Sequence, residues 1–445
     1  MKDLVKSYMN FLDNGKTERR CVNQVIKLAE KAGYKDITKV KALKAGDKVY
    51  VQKMGKSILL FEIGSGDFED GMNILGAHID SPRLDAKQSP VYEKDGLVYL
   101  NTHYYGGIKK YQWLAMPLAI NGVVITKSGK TIEVNVGDDE DDVVFCISDI
   151  LPHLAYEQMK KTASDFIDAE KLDVIIGACD ASDNSKDEEK DKAKSRVLEL
   201  LKTKYGFEED DFASAELEIV PAGKSRFVGF DKKLILAYGQ DDRSCAYTSV
   251  AAMLDSKAGK RTNCCILTDK EEIGSYGATG MNSHMLDNAV AEIAARLKPA
   301  VKDISLAVRR ALENSLMLSS DVNAAFDPLN ESLYDKQNAS FLGGGLVFNK
   351  YTGSRGKSGA SDANPEFIAK IRKQLDSAKV KYQYAELGKV EVGGGGTIAH
   401  YAAEFGLQVI DAGVAVLSMH APWEITSAYD IEQAYKGYKA FLQIN

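Results

Sequence analysis

Short apolar runs of strand length punctuate this chain, and they constrain its fold more than any other feature. The runs end abruptly in small or acidic residues and alternate with stretches whose apolar residues recur at helical spacing. This alternation predicts an α/β fold with a mostly parallel sheet. The runs are 58–63, 72–77, 264–268, 316–319, 407–410 and 414–417, and the helical stretches include 243–254, 367–378 and 431–442.

The middle of the chain has a different residue pattern. Residues 91–99, 122–136 and 143–147 alternate or are β-branched, with Gly-Asp and Ser-Gly turns between them, which is typical of antiparallel strands. A chain of 445 residues is also too long for one ordinary core. We therefore predict a discontinuous α/β domain, 1–90 plus 231–445, and an inserted β-rich domain, 91–230, with a solvated charged loop at 180–196.

Charge and composition exclude several classes of protein. The net charge of −7 and the pI near 5.6 argue against binding to nucleic acid or to an anionic membrane. No run of eighteen apolar residues predicts a membrane span, and residues 1–20 lack the apolar core of a secretory signal. We expect a cytoplasmic protein whose six cysteines are small buried residues rather than disulfides or metal ligands.

Imidazole and carboxylate side chains cluster just beyond the ends of the apolar runs. The carboxyl ends of strands in an open α/β sheet form the crevice where ligands bind, so we expect these side chains to converge. Each alone has a simpler interpretation, as a helix cap, a surface charge or a core histidine, but together they predict a metal site. They are His78, Asp80, Asp241, Glu271, Glu272, Asp321 and His420.

The donor set suits two divalent ions that share one carboxylate. On this interpretation Asp241 is the bridge, His78 and Asp321 complete the shell of one ion, and Glu272 and His420 complete the other. Mixed nitrogen and oxygen donors favour zinc, with cobalt or manganese as substitutes.

Adjacent glutamates in an extended segment point in different directions, so Glu271 and Glu272 should have different roles. Glu272 would bind metal, and Glu271 would act as general base on a metal-activated water. Asp80 lies two residues from His78, so its carboxylate would orient the imidazole or a metal-bound group.

Five separated motifs resemble those of the aspartyl aminopeptidase and aminopeptidase I family of dizinc exopeptidases. They are GAHIDSPRLD (76–85), GQDDRSC (239–245), TDKEEIGSYGATG (268–280), SSDVNAAFDP (319–328) and MHAPWE (419–424), and GGGGTIAH (393–400) and KSGASDANPEF (357–367) extend the likeness. The resemblance implies a mixed sheet sandwiched by helices, a β-rich dimerisation insert and homo-oligomers as large as tetrahedral dodecamers. Motif by motif, it implies the ligands and the general base named above.

The resemblance also bears on substrate binding. It implies that His153 reaches a neighbouring subunit's active site and stabilises the tetrahedral intermediate. Acid-preferring relatives carry histidines where this chain has Ala324 and Asp327, which leaves neutral or basic first residues at least as plausible as acidic ones. Lys357 and Arg355 are candidates to contact an acidic side chain, with solvated surface cations as the alternative.

The sequence thus predicts a metalloaminopeptidase that releases N-terminal residues from peptides. The glycine runs 343–345 and 393–396 fit neither phosphate-binding loop pattern, and we expect the second to lead into a helix near the substrate. Two alternatives stay open: a deblocking aminopeptidase or N-acyl amino acid deacylase of similar architecture, and a non-catalytic scaffold.

Overall fold

The computed structural model describes residues 2–179, 192–297, 301 and 303–445, which form two compact units. The first comprises Met1–Asp80, Ser225–Met419 and Glu424–Asn445, and the second comprises Ser81–Lys224 and His420–Trp423. The first boundary differs from the predicted 90 because the strand at Arg83–Lys94 pairs with strands of the second unit. The second differs from the predicted 231 because Arg226–Val228 pairs with a strand of the first unit.

Three sheets and eight helices make up the first unit within the described residues, with elements numbered along the whole chain. The helices are α1 (Lys2–Asn14), α2 (Glu18–Lys31), α4 (Gln240–Leu254), α5 (Met285–Arg296), α6 (Ile304–Glu313), α7 (Pro365–Ser377), α8 (Ile398–Ala403) and α9 (Ala428–Phe441). The large sheet contains β1 (Lys35–Asp36), β2 (Lys48–Lys53), β3 (Ser57–Glu62), β4 (Met72–His78), β13 (Thr262–Thr268), β14 (Leu316–Ser319), β16 (Leu346–Asn349), β18 (Tyr382–Tyr384) and β20 (Gln408–Gly413). The smaller sheets contain β11 (Arg226–Val228), β12 (Leu234–Ala237), β15 (Asn323–Ala324), β21 (Ala415–Leu417) and β22 (Glu424–Ser427), and the pair β17 (Gly353–Ser354) and β19 (Gly394–Gly395).

The centre of the large sheet is parallel. Its order is β1-β2-β3-β13-β4-β14-β20-β16-β18, and β13, β4, β14 and β20 run in one direction. Strands β4 and β13 are buried along their whole length, because helices cover both faces. The mixed sheet between helices that the sequence predicts is therefore confirmed. Its parallel centre brings the carboxyl ends of β13, β4 and β14 together at one edge.

The second unit is a six-stranded antiparallel sheet with one long helix. Its strands are β5 (Arg83–Lys94), β6 (Leu97–Tyr105), β7 (Leu118–Ile125), β8 (Thr131–Val136), β9 (Val174–Ala178) and β10 (Ala215–Pro221), and its helix is α3 (Lys192–Tyr205). Residues 143–147, expected to be a strand, form only isolated bridges at Phe145 and Cys146, since Val143 and Val144 are exposed. Part of the predicted charged loop, 180–191, lies outside the described residues. Residues 192–196 begin α3 instead, where Ala193 packs in the apolar core.

All six cysteines are free thiols; four are buried, as expected, whereas Cys146 and Cys179 are only half-buried. The buried thiols are Cys21, Cys245, Cys264 and Cys265. Across the part of the chain that the structure describes, no helix combines the length and apolar character needed to cross a bilayer.

Truncation of the core beneath the edge where β13, β4 and β14 end should destabilise the fold strongly. Leu318, in β14, is fully buried, so Leu318→Ala should lower the free energy of unfolding by about 2–5 kcal/mol through lost burial and the cavity left behind. Urea unfolding at one fixed protein concentration measures this loss. Leu306→Ala on α6, at a side chain that is 42% exposed, is the matched control and should cost less than about 1 kcal/mol. Equal losses in the two variants would contradict the assigned core.

Candidate metal centre

His78 is the residue around which the acidic side chains gather. It is the last residue of β4 and is 1% exposed. Its Nε2 atom lies 3.1 Å from Asp241 Oδ1, 4.0 Å from Glu271 Oε2 and 4.0 Å from Asp321 Oδ1. The structure thus brings together side chains that are up to 243 residues apart in sequence.

Asp241 is positioned by the junction between β12 and α4. Its backbone N–H donates to Glu424 Oε2 at 3.0 Å, and the preceding Gln240 side chain donates to the Glu424 carbonyl oxygen at 2.6 Å. The peptide bond between Asp241 and Asp242 is cis. The buried Arg243 side chain donates from Nε to the carbonyl oxygen of Ile79, which lies between His78 and Asp80. These contacts join the start of α4 to the end of β4.

Asp80 holds the backbone that carries both glutamates. Its two carboxylate oxygens accept hydrogen bonds from the backbone N–H groups of Glu271 and Glu272, each at 3.1 Å. The same carboxylate lies 3.3 Å from Nδ1 of His78. The glutamates occupy a one-turn helix, Glu271–Ile273, directly after β13. Asp80 therefore lies within reach of the imidazole and also fixes the backbone of Glu271, which the family resemblance gives it to support.

Asp321 follows β14, and the last residue of that strand, Ser319, bonds to the buried carboxylate of Asp411 on β20. Asp411 Oδ1 accepts hydrogen bonds from Ser319 Oγ at 2.8 Å and from Thr397 Oγ1 at 2.7 Å. Burial raises the pKa of Asp411 to about 6, although both hydrogen bonds act to lower it. Thr397 is also the N-cap of α8, so the helix that follows the second glycine run is joined to the strand end beside Asp321.

Asp242 is an acidic residue of the cluster that the sequence analysis missed. Its Oδ2 atom accepts the backbone N–H of His78 at 3.3 Å, and the side chain is fully buried. Oδ1 of Asp242 is buried and has no hydrogen-bond partner among the described residues. The adjacent acidic residues Asp241 and Asp242 were the sequence signal that could have identified it. Only the local backbone geometry shows that both carboxylates lie close to His78.

Two overlapping sets of side chains have the chemistry of a metal site. The ligand atoms of His78, Asp241 and Glu272 lie within 4.8 Å of one another, and so do those of His78, Asp242 and Asp321. Nitrogen and oxygen donors in this proportion fit zinc.

The electrostatics of the cluster favour cations as well. Burial, with a further contribution from neighbouring carboxylates, raises the pKa of Asp242 and of Asp321 well above the usual range. Burial would lower the pKa of His78, but hydrogen bonds to Asp241 and Asp80 raise it well above the usual value. Buried carboxylates that repel one another in this way are stabilised by divalent cations.

Besides Asp80 and Glu271, three predicted residues lie outside these two sets. His420 is grouped with the second unit, where its Nδ1 atom is 3.0 Å from the carbonyl oxygen of Gly107, and its role as a ligand stays a prediction. His153 lies exposed in a one-turn helix, Pro152–Leu154, of the second unit. Lys357 follows β17, and its Nζ atom is 3.2 Å from Asp362 Oδ2.

A family profile and curated relatives match this chain over nearly its whole length. The profile of the family described as "Aminopeptidase I zinc metalloprotease (M18)" matches residues 11–442. A probable M18 family aminopeptidase 1 from Clostridium acetobutylicum is 55% identical over 439 residues, which cover 98% of this chain and 93% of that protein.

Solved structures show the same fold. The crystal structure of an M18 family aminopeptidase from Thermotoga maritima has a TM-score of 0.94 at 41% identity, covering 99% of this chain and 96% of that one. The more distant mApe1 dodecamer of Saccharomyces cerevisiae has a TM-score of 0.78 at 20% identity, covers 99% and 96% of the two chains, and supports the fold alone. The chain therefore belongs to the M18 family of zinc metalloproteases and is a metal-dependent aminopeptidase.

Proposed function

We propose that each chain holds two divalent ions, bridged by Asp241, and uses them to release the first residue of a peptide. His78 and Asp321 would bind one ion, and Glu272 and His420 the other. The overlap of the two sets of donors at His78 supports a pair of neighbouring ions rather than two separate sites. Asp242 is a further candidate ligand beside His78 and Asp321.

Glu271 is the general base of this proposal. When bound, zinc ions supply a water of lowered pKa and polarise the carbonyl group of the scissile bond. The Glu271 carboxylate takes a proton from that water, whose oxygen adds to the peptide carbonyl carbon. The carbon–nitrogen bond then breaks, and Glu271 gives its proton to the departing amine. The free residue and the shortened peptide are the products.

One observation carries this assignment. Glu271 Oε2 lies 4.0 Å from His78 Nε2, so the carboxylate faces the ligand cluster, while Asp80 fixes its backbone. Glu272, its neighbour, contributes its own carboxylate to the set with His78 and Asp241. These contacts support separate roles for the two glutamates, with Glu272 as a ligand and Glu271 as the base.

The first-residue preference remains part of the proposal. Asp327 stands where acid-preferring relatives carry a histidine. Its carboxylate caps a short helix by accepting a hydrogen bond from the backbone N–H of Leu329 at 3.0 Å. Ala324, the other, has no polar side chain. These positions therefore offer no cation to an acidic substrate, and we propose that neutral and basic first residues are accepted at least as well as acidic ones.

We also propose that the second unit associates with another copy of this chain. Its irregular segment 143–159 exposes large apolar side chains, with Leu154 68%, Tyr156 71% and Met159 69% exposed. A patch of this kind commonly marks a protein interface. His153 lies inside this segment, so association could carry its imidazole to a neighbour's centre. The yeast relative of the same fold is a dodecamer.

Removal of the general base should abolish turnover and leave the metal in place. Glu271→Gln keeps the size of the side chain but removes its basicity, so kcat should fall by about 10²–10⁴-fold. The measurement is steady-state hydrolysis of leucyl p-nitroanilide, with zinc content determined by elemental analysis. Glu69→Gln, at a carboxylate of the first unit that pairs with Arg310, is the control and should keep full activity.

Two results would contradict the role of Glu271. One is a Glu271→Gln variant that keeps its zinc and most of its kcat. The other is wild-type activity that survives removal of zinc by a chelator, because the proposed reaction needs the metal-activated water.

Replacement of His153 tests the predicted contribution of the second unit. His153→Ala should lower kcat by about 10–10³-fold through the loss of one hydrogen-bond donor to the intermediate, without changing zinc content. Light scattering should show the same oligomer for this variant and for the wild-type protein. His103→Ala, at an exposed histidine of the same unit, is the control and should have no effect. A wild-type monomer at assay concentration that is fully active would refute the proposed role.

A further inference from the structure

Tyr8, on the N-terminal helix α1, is fully buried and bonds to the residue that precedes Asp241. Its hydroxyl group donates a hydrogen bond to Oε1 of Gln240 at 2.9 Å, across 232 residues of sequence. Gln240 is fully buried as well, and Asp241 is the next residue along the chain. A side chain of the first helix therefore contacts the junction that positions Asp241.

The packing of α1 fixes the direction of the Tyr8 hydroxyl group. Val5, Tyr8 and Leu12 recur at helical spacing and lie in one buried apolar cluster. The centroid of the Tyr8 ring is 5.7 Å from that of Tyr247 on α4, and the Phe11 ring is 5.4 Å from the same Tyr247 ring. Because close-packed side chains occupy fixed rotamers, the aromatic contacts hold the hydroxyl group towards α4.

The amide group of Gln240 can make its hydrogen bonds in one orientation only. Its Nε2 atom donates to the carbonyl oxygen of Ile235 at 3.1 Å and to that of Glu424 at 2.6 Å. Both amide hydrogens are thus used, and Oε1 accepts the hydrogen of Tyr8. The reverse orientation would place Oε1 against two carbonyl oxygens, which have no hydrogen to donate. The Tyr8 hydroxyl group therefore completes the orientation in which Gln240 holds Glu424.

Glu424 connects this arrangement to Asp241. Its Oε2 atom accepts the backbone N–H of Asp241 at 3.0 Å, while its carbonyl oxygen accepts from Gln240. Gln240 is also joined to Asp241 by a peptide bond. A shift of Gln240 would thus move both the Asp241 backbone and the carboxylate that receives its N–H. The Asp241 side chain, whose Oδ1 atom lies 3.1 Å from His78 Nε2, would move with them.

We propose that Tyr8 is a positioning residue for Asp241 and acts through Gln240 and Glu424. The inference rests on the proposed function, in which Asp241 is a metal ligand. Without the hydroxyl group, Gln240 Oε1 is a buried acceptor that has lost its donor, which is unfavourable. Loss of a partner that orients a ligand directly weakens metal binding by about 10–100-fold. Tyr8 acts at a greater distance, so we expect about a three- to tenfold effect.

Tyr8→Phe tests this role, because it removes only the hydroxyl oxygen and keeps the packed ring. Zinc affinity is measured by competition with a chromogenic chelator. The visible absorption spectrum of the cobalt-substituted protein reports the geometry of the ligands. Zinc affinity should fall by about three- to tenfold, and the cobalt bands should change in position or intensity. Unchanged zinc affinity with an unchanged cobalt spectrum overturns the inference.

Tyr50→Phe is the matched control. Tyr50 lies in the same apolar cluster and is 4% exposed, but its hydroxyl group donates to Glu30 Oε1 on α2 at 3.0 Å. Both variants lose one hydrogen bond, so both should unfold at a lower urea concentration than the wild-type protein. Tyr50→Phe should leave zinc affinity and the cobalt spectrum unchanged. Equal losses of zinc affinity in the two variants contradict a positioning role for Tyr8.

A second set of variants tests the route through Gln240. Gln240→Leu removes the amide group that joins Tyr8 to Glu424, so the addition of Tyr8→Phe should cause no further loss of zinc affinity. The same loss from Tyr8→Phe in both backgrounds contradicts this route.

Zinc binding is measured without substrate, which separates the inference from the proposed function. Wild-type protein that binds two zinc ions but cleaves no peptide refutes the function, whereas weaker zinc binding by Tyr8→Phe still supports the inference. Full peptide hydrolysis by wild-type protein, with no effect of Tyr8→Phe on zinc affinity or on the cobalt spectrum, refutes the inference alone.

Discussion

The parallel pairing of β4 with β13 and β14 is the constraint on which the rest of the site depends. Because these strands run in one direction, their carboxyl ends place His78, the Glu271–Glu272 turn and Asp321 at one edge of the sheet. The burial of β4 and β13 on both faces leaves the strands little freedom to shift, since a shift would expose apolar residues. The ligand geometry thus follows from the packing of the core.

The same burial raises the free energy of the charged carboxylates at the centre. Burial, with neighbouring carboxylates adding to its effect, raises the pKa of Asp242 and Asp321, and the free energy of the charged cluster falls when divalent cations bind. Hydrogen bonds from the backbone and from neighbouring side chains, such as those between Asp80 and the Glu271–Glu272 turn, hold the carboxylates in place before any ion arrives. The positioning residues Asp80, Arg243 and Asp411 lie just after β4, on α4 and on β20.

Sequence patterns predicted the strand ends well and the local backbone poorly. The apolar runs and the side chains that follow them predicted that His78, Glu272 and Asp321 converge, because β4, β13 and β14 run in one direction. Asp241 follows β12 of a smaller sheet, so its position depends on the start of α4 instead. The sequence analysis missed Asp242 because its contact with His78 depends on the backbone conformation at the start of α4. The spacing of apolar residues does not report that conformation. Residues 143–147 were wrongly expected to be a strand, because β-branched composition does not reveal whether a neighbouring strand is present to pair with them.

The central claim is that one chain holds two neighbouring ions with Asp241 between them. Anomalous diffraction at the zinc absorption edge, from crystals grown with zinc, measures this most directly. The account predicts two peaks per chain, one in contact with His78 and Asp321 and the other with Glu272 and His420, both in contact with Asp241. A single peak, or peaks that do not share Asp241, would contradict it.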